Sequence, residues 1–401
     1  GFAWRPSERW GVVRAAYGVQ YGEIFPVSFG NARFNPPFAA RVRNPAPNFI
    51  DPLAGIDTTR IDPNAQFTFF DFAPDLVAPY EHQYNFSWEM PVGGDWRVNL
   101  GYVGSRAVKI VTMWYFNRAQ PTPGMPQITA NMEQRRADQR FNDVRRSLNG
   151  GRAYYDAAKV TLRSPVRSGF SLETSYWFGK AIDLGANYTS TASGADALEG
   201  RGQTEFDVHN DMKSVSNFDQ PHSWMTRLTW RSPRLTGQPN WLRGAFGGWE
   251  VFAVALVKSG TPFSVSSGSD GPGFGNVDGS GSDRPNVVDP SILGRAVKHP
   301  DTAAAALPRE AFAFIGPFDP RGNLGRNTFR RDGIENLNAA FSRTWLTPGE
   351  TRLTLRAEAN NALNRAQFAE PGNELTSPNF GQITNTLNDG RSFRFLLRMA
   401  F

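Results

Sequence analysis

Every second side chain is large and apolar in the stretch Arg391-Ser392-Phe393-Arg394-Phe395-Leu396-Leu397-Arg398-Met399-Ala400-Phe401. Successive residues of a β-strand point to opposite sides, so this stretch predicts a strand with one apolar face and one face that carries Arg394 and Arg398. A strand that crosses a bilayer between lipid and an aqueous interior has this pattern. Each lipid-facing charge near mid-membrane costs about 2–4 kcal/mol, which keeps charges on the other face.

The apolar side chains of this strand also predict a signal for assembly into a membrane. A terminal strand whose last residue is aromatic resembles the segment that the barrel-assembly machinery recognises in outer-membrane proteins. The predicted signal consists of Phe393, Phe395, Leu397, Met399 and Phe401. The alternative is the buried last strand of a soluble protein, in which a final phenylalanine has no such meaning.

The same two-residue period recurs along the whole sequence. Runs with this pattern, or apolar on both faces, cover 13–21, 83–90, 96–104, 158–163, 170–178, 224–230, 249–258, 337–345, 351–361 and 391–401. Together they predict about ten strands, each long enough to span a bilayer when tilted.

The segments between these runs alternate between short and long. The short connections are 91–95, 164–169, 232–247 and 347–350, and the long ones are 22–82, 106–152, 181–221, 261–335 and 362–390. An outer-membrane barrel has short periplasmic turns at one rim and long extracellular loops at the other, whereas a soluble β-sandwich has no reason to separate connections in this way. We therefore predict an all-β, antiparallel transmembrane β-barrel located in the bacterial outer membrane.

Composition excludes several other classes of protein. The chain has no cysteine, so it offers no disulfide, thiolate metal site or cysteine nucleophile. The longest purely apolar run covers only 251–257, far below the roughly 18 residues that a membrane-spanning helix needs. The formal net charge of +6 is spread without any basic run, which argues against nucleic acid as a partner.

No arrangement of residues predicts catalysis or a bound cofactor. The four histidines, His82, His209, His222 and His299, lie far apart and lack the spacing of metal ligands. A loop with Glu205, Asp207, His209 and Asp211 is a weak metal candidate, since loop acids of this density are usually hydrated. The stretch 270–283, rich in glycine, serine and aspartate, fits neither a phosphate loop nor an EF-hand and predicts a mobile loop. We predict no metal, no cofactor and no enzymatic activity.

The polar sides of the predicted strands supply candidates for the lining of the barrel interior. These candidates are Arg97, Asn99, Lys159, Arg163, Glu173, Arg394 and Arg398. They would contact a plug, a passing solute or only water. Tryptophans near the strand ends are predicted to form aromatic girdles at the two membrane interfaces: Trp10, Trp88, Trp96, Trp177, Trp230, Trp249 and Trp345.

Several short strings resemble segments of the Oar-like TonB-dependent receptors and occur in the order expected of that family. They are Gly101-Tyr102-Val103-Gly104-Ser105-Arg106, Asn217-Phe218-Asp219-Gln220-Pro221-His222, Ser259-Gly260-Thr261-Pro262-Phe263, Gly322-Asn323-Leu324-Gly325-Arg326-Asn327, Arg356-Ala357-Glu358 with Asn361 and Asn364, and Asn379-Phe380-Gly381-Gln382-Ile383. Each string is weakly specific alone, and their order along nearly the whole chain makes the resemblance fairly specific.

The resemblance implies a large, 22-stranded barrel closed by a plug, which imports a large or scarce solute with energy delivered by TonB. The sequence shows no signal peptide, regulatory domain, TonB box or plug, and about half the strands. Residues 1–401 are therefore expected to form a single, partial barrel domain at the C-terminal end of such a receptor. Its expected partners are outer-membrane lipid, the barrel-assembly machinery, an unknown solute, and TonB through a plug that this chain lacks. Its edge strands would be 13–21 and 391–401.

Two further functions are compatible with parts of the pattern. A passive, porin-like channel shares every feature of the barrel and needs no plug. A soluble carbohydrate-binding β-protein would explain the abundance of tryptophan and glycine. Ion conductance separates the first alternative from a plugged receptor, and solubility without detergent separates the second.

Overall fold

A computed structural model describes residues 1–24, 30–36, 48–55, 66–167, 169–185, 202–204, 207–271, 273–281, 283–346 and 351–401. The strands are β1 (Phe2–Ser7), β2 (Gly11–Tyr21), β3 (Phe67–Phe72), β4 (Tyr80–Pro91), β5 (Arg97–Phe116), β6 (Phe141–Arg163), β7 (Phe170–Asp183), β8 (Ser214–Val215), β9 (His222–Arg231), β10 (Trp249–Lys258), β11 (Pro262–Phe263), β12 (Asn286–Val287), β13 (Phe312–Ala313), β14 (Phe329–Arg330), β15 (Ile334–Leu346), β16 (Arg352–Asn360) and β17 (Ser392–Ala400). Short helices are α1 (Val208–Met212), α2 (Asn240–Phe246) and α3 (Pro300–Ala306), and single 3-10 turns cover Asn31–Phe34, Thr129–Asn131, Glu133–Arg135, Pro290–Ile292 and Arg309–Ala311.

Thirteen of these strands form one sheet. Eleven of them follow one another in the order β1-β2-β4-β5-β6-β7-β9-β10-β15-β16-β17. Every neighbour along this path is antiparallel, while β3 adds to β6 in parallel and β8 adds to β7. All ten predicted runs lie in strands of this path, which confirms the all-β, antiparallel prediction. The sequence reading missed β1, β3, β8 and the two-stranded sheets β11-β14 and β12-β13, because strands this short show too few alternations.

Register carries the apolar face continuously across the sheet. Directly paired residues share a face, and the pairs Phe86 with Tyr102, Val160 with Tyr176, and Ala357 with Phe395 all join apolar side chains. These side chains are open to the surroundings: Phe86 is 44% exposed and Phe395 is 75% exposed. A soluble protein would bury such a face, since exposed apolar patches of this extent are confined to membrane or protein interfaces. The prediction of a soluble carbohydrate-binding protein is therefore wrong.

Short and long connections alternate as predicted. The short ones, at one end of the sheet, are 8–10, 92–96, 164–169, 232–248 and 347–351; the long ones, at the other end, are 22–79, 117–140, 184–221, 259–333 and 361–391. The predicted long connection 106–152 is too wide, because β5 and β6 continue well past the span of a bilayer. The outer half of β6 carries arginine, asparagine and glycine, which weaken a signal that relies on apolar residues, and the outer half of β5 is apolar on both faces and so shows no alternation.

The edge strands are β1 and β17, each paired on one side in the described part of the sheet. The prediction of an edge at 13–21 is thus corrected: β1 covers the first half of β2 through the pairs Phe2 with Ala15 and Trp4 with Val13. The second predicted edge, 391–401, is the outer side of β17.

The long connections fold together into a body that we call the loop cap, comprising 117–140, 202–204, 207–221, 259–271, 273–281, 283–333 and 361–391. Its apolar core contains Phe263, Val265, Ile292, Val297, Ala303, Leu307, Ala311, Phe312, Leu324, Phe329, Leu375 and Phe380. The stretch 270–283 is part of this body, with Asn276 and Asp283 each only 1% exposed, so the prediction of a mobile loop there is wrong. Its glycines and aspartates serve tight turns and buried hydrogen bonds. Within the described ranges, no helix has the length and apolarity to span a membrane.

Candidate functional site

The polar face of the sheet holds all seven predicted interior-lining residues. Register pairs Arg97 with Arg163 and Arg163 with Glu173, so these three side chains form one row across β5, β6 and β7. Asn99 and Lys159 follow on the same face of β5 and β6, opposite Thr161 and Gly101. Their role in contacting a plug or solute stays a prediction.

Ion pairs between strands balance the charges of this row. Arg97 donates to a carboxylate oxygen of Glu89 at 3.3 Å, and Glu89 also lies 3.7 Å from Arg14. The guanidinium of Arg163 donates to Glu173 at 3.1 Å. All five charged side chains of these pairs are at least partly exposed, so the pairs fix side-chain positions more than they stabilise the fold.

The cationic residues of β17 occupy the same face at the edge of the sheet. Arg394 lies 3.9 Å from Glu358, which also accepts a hydrogen bond from Arg356 at 2.6 Å. Arg398 pairs in register with Thr354. On the other face, the five residues of the predicted assembly signal are all exposed, from 62% for Phe393 to full exposure for Phe401. Recognition by an assembly machine remains a prediction.

Two groups of tryptophans lie at the short-turn end, as expected for an interfacial girdle. Trp10 and Trp88 stack with ring centroids 6.1 Å apart, and Trp249 meets Trp345 edge-on at 6.3 Å. Trp177 does not belong to a girdle, since its register places it on the polar face, where Lys159 sits 4.7 Å above its ring. The alternation of this strand already set Trp177 opposite Tyr176 and Phe178, so its selection for the girdle, made from its nearness to the strand end, was wrong.

Buried arginine–aspartate pairs fasten the loop cap together. Arg118 pairs with Asp278, Arg284 with Asp211, Arg326 with Asp183, and Arg330 with Asp219. Each pair joins different segments: Arg326, for example, ties 259–333 to the end of β7, and its Nε also donates to the Met212 carbonyl at 2.9 Å. Losing one partner of such a pair leaves an uncompensated buried charge, which costs about 3–5 kcal/mol.

The family-like strings meet at one place in the cap. Asn327 donates through Nδ2 to the carbonyl of Val215 at 2.7 Å and to the side chain of Asn217, and its backbone N–H donates to Ser264 Oγ at 2.9 Å. Asp219 accepts from the backbone N–H of Ala181 at 2.6 Å. The strings 217–222 and 322–327 thus join connections to one another, and the resemblance pointed to structural residues of the cap. The pairing of Arg326 with Asp183 had no signal in the sequence.

An acidic cluster lies beside Arg118 inside the cap. Asp283 is 1% exposed, and neither of its carboxylate oxygens has a hydrogen-bond partner. Burial, reinforced by the neighbouring Asp278 carboxylate, raises the pKa of Asp283 well above its usual value. The same causes raise the pKa of Asp270 to about 7, although Asp270 accepts hydrogen bonds from the backbone of Asp278 and Gly279. Burial therefore favours the protonated form of Asp283, while Asp278 is paired with Arg118.

The histidines lie apart, and each has a local role. His82 and His222 bond to the hydroxyls of Tyr17 and Tyr176 at 2.7 Å, and His299 accepts from the backbone at the start of α3. His209 is exposed on α1, and Glu205 of the same predicted loop lies outside the described residues. Within the described ranges, no three histidine or acidic side chains are grouped so as to hold a metal ion.

Comparison with known proteins gives one family match. Residues 1–394 match the family described as "Outer membrane beta barrel domain". No curated relative matches the sequence.

Solved structures of similar fold include the outer membrane transporter YddB from Escherichia coli, with 11% identity, a TM-score of 0.41, and coverage of 82% of this chain and 34% of that one. The ferric-catecholate import receptor Fiu from E. coli K12 has 10% identity, a TM-score of 0.40, and coverage of 98% and 33%. The FrpB iron transporter from Neisseria meningitidis has 13% identity, a TM-score of 0.37, and coverage of 82% and 32%. The chain spans about a third of the length of these structures.

Proposed function

The chain belongs to the outer membrane beta-barrel domain family, and from that premise we propose that it is the barrel portion of an Oar-like, TonB-dependent receptor that imports a large or scarce solute. The outer membrane is its location. The proposed partners are membrane lipid, the barrel-assembly machinery, the solute, and TonB acting through a plug encoded outside these residues. The proposal assigns no catalytic step and no cofactor to this chain.

The observation that carries the proposal is the fastened loop cap at the end of a sheet with a polar inner face. Four arginine–aspartate pairs hold the long connections in one arrangement, and Asp278 and Asp183 are each buried to within a few per cent. A pre-organised set of loops favours selective capture of a solute, because little conformational entropy is lost on binding. The family-like strings contribute Asn217, Arg326 and Asn327 to this arrangement.

Conductance tests the proposal on the full-length native gene product. Reconstituted in planar bilayers, a plugged receptor is expected to give no steady current, with a general porin as the positive control. The purified periplasmic domain of TonB is expected to bind the same preparation. If TonB does not bind, the proposal of energy coupling is contradicted, whether or not the preparation conducts a current in the bilayer.

The second candidate is a passive, porin-like channel. It is favoured by the row of charges formed by Arg97, Arg163 and Glu173, which would line an open pore as well as a plugged one. Steady current from the full-length product would support this candidate. Current whose ion selectivity changes with Arg163→Gln would locate the pore along this row.

A further inference from the structure

The connection 232–248 is the longest described connection at the short-turn end, and its helix α2 is docked on the sheet. Arg343 donates to the carbonyls of Gly244 and Arg243, the latter at 3.0 Å, and Trp249 donates through Nε1 to the carbonyl of Ala245 at 2.8 Å. The carbonyls of Gly244 and Ala245 are among those that the last turn of α2 leaves open, while the Arg243 carbonyl also accepts from the backbone N–H of Gly247. Register pairs Trp249 with Arg343 on the apolar side of β10 and β15, so α2 lies against the membrane-facing surface.

A cleft of about 640 Å³ opens beside α2 at the rim, where β15 continues past the first residue of β10. By register, Arg231, Glu250 and Ser342 of its lining lie on the polar face, and Arg343 and Trp345 lie on the membrane face. Its lining includes four arginines, Arg231, Arg234, Arg243 and Arg343, and, among the described residues, a single carboxylate, that of Glu250. Glu250 is paired with Arg231 at 2.8 Å. The remaining three guanidinium groups give the cleft a positive charge that no described carboxylate of the lining offsets.

Arg343 has an unusual environment for a cation. Its side chain is 7% exposed, and its guanidinium lies 4.8 Å from the ring centroid of Trp345 and 5.7 Å from that of Trp249. Its described hydrogen-bond acceptors are neutral carbonyls. An anion in the cleft would complete the charge balance, and a phosphate group suits it, since guanidinium groups bind phosphate oxygens in pairs.

A second cavity identifies the source of that phosphate. An apolar groove of about 360 Å³, lined by Trp249, Phe341, Leu355 and Ala357, lies on the membrane face, and its Trp249 is the register partner of Arg343 in the cleft. On α2, Trp241 and Phe246 are 68% and 62% exposed, as expected for aromatic residues at a membrane interface. A basic cleft at headgroup depth, followed by an apolar groove toward mid-membrane, matches the two ends of a phospholipid.

We propose that the arginine cleft and the adjoining groove bind one anionic phospholipid of the periplasmic leaflet, with the lipid phosphate among Arg234, Arg243 and Arg343 and an acyl chain along Phe341 and Ala357. The inference is independent of the solute and of TonB coupling. It requires only the outer-membrane location and the short turns being periplasmic.

Native mass spectrometry of the full-length native protein in detergent tests the proposal, with phosphatidylglycerol, phosphatidylcholine, inorganic phosphate and a polyglutamate peptide as probes. Phosphatidylglycerol is expected to bind at least about tenfold more tightly than phosphatidylcholine, because each arginine near a headgroup contributes about 1 kcal/mol. Arg234→Gln with Arg243→Gln is expected to remove this preference and to spare folding, since both side chains are exposed. The matched control, Arg9→Gln with Arg167→Gln, removes the same charge from two other short turns and should leave the preference intact.

The groove is tested by Ala357→Phe, which is expected to weaken binding of phosphatidylglycerol with long acyl chains several-fold and to leave a short-chain analogue unaffected. Four outcomes overturn the proposal. They are equal binding of the two lipids, equal loss in the control variant, displacement of the lipid by inorganic phosphate at matched concentration, and tighter binding of polyglutamate at the same arginines.

Discussion

Asp283 shows how one side chain can make the loop cap sensitive to pH. Its carboxylate is buried and unbonded, and burial raises its pKa well above the usual value. A group that holds its proton more tightly in the folded state stabilises the fold fully at low pH and loses that contribution as pH rises from the unfolded pKa, about 4, to the folded one. Asp270, with its pKa raised to about 7, acts in the same direction. The cap is therefore expected to become less stable between about pH 4 and pH 7.

Asp283→Asn is expected to raise the free energy of unfolding of the cap at pH 8 by about 1 kcal/mol or more, because the amide carries no charge to desolvate. At pH 5 the change should be small. Urea titration with limited proteolysis of the cap measures both values. The control is Asp289→Asn in the same connection. The exposed carboxylate of Asp289 caps a turn by accepting from the backbone N–H of Ser291 at 2.9 Å, so this variant is expected to lower the free energy of unfolding. Stabilisation of the wild type by Ca²⁺ at pH 8, abolished by Asp283→Asn, would contradict protonation and make the residue a ligand.

Arg326 joins its own connection to the segment 207–221 and to the end of β7. It contacts Asp183, Met212 and Asn217, and its side chain is 2% exposed. Arg326→Met is expected to destabilise the cap by about 3–5 kcal/mol, since Asp183 is left charged and buried. Arg163→Met, which breaks an exposed pair on the polar face, should cost no more than about 1 kcal/mol. Equal losses in the two variants, measured by the same proteolysis, would argue against the fastening role.

At the level of a single strand, β17 tests which face meets lipid. Phe395 pairs with Ala357 on the apolar face, whereas Leu396 pairs with Arg356 on the polar face. Phe395→Arg is expected to destabilise the folded barrel by about 2–4 kcal/mol, and Leu396→Arg by much less, because only the first charge enters hydrocarbon. Outer membranes of cells that express each variant are run on a gel with and without heating. The fraction whose migration changes on heating measures the amount of folded protein. A larger effect of Leu396→Arg would reverse the assignment of the two faces.

Strand length also separates the membrane-spanning part from the cap. A spanning strand needs about 10 residues, while β5 covers Arg97–Phe116 and β6 covers Phe141–Arg163. Their outer halves therefore project beyond the bilayer, where β3 joins β6 and β8 joins β7. The apolar residues Met113 and Tyr115 pack there against Phe70. The cap segment 117–140 connects the outer ends of β5 and β6.

For the molecule as a whole, the exposed apolar face decides its behaviour in solution. This face extends across the strands from β2 to β17, and β1 and β17 each lack a second neighbour in the described sheet. We expect purified protein to remain monodisperse only in detergent or lipid and to aggregate on detergent removal, as light scattering would report. A stable monomer in plain buffer would contradict the membrane assignment.

The sequence by itself determined ten of the strands, the lipid face of those that alternate and the rim at which the long connections lie, whereas the facing of β10, apolar on both sides, was set by its neighbours in the sheet. These features are local: alternation with a period of two and the length of a connection are read within one segment. The short β1 and the projecting half of β6 were missed because they offer few alternating apolar residues, and the projecting half of β5 was missed because it is apolar on both faces.

Only the tertiary structure decided which charges meet in the cap and at the rim. With 43 lysines and arginines and 37 acidic residues, the sequence leaves the partner of Arg326 or Arg118 open, since each lies more than a hundred positions away. The buried pairs, the unpaired carboxylate of Asp283 and the arginine cleft beside α2 depend on how distant connections pack. Burial then sets their energetics, because it removes the water that would otherwise screen each charge.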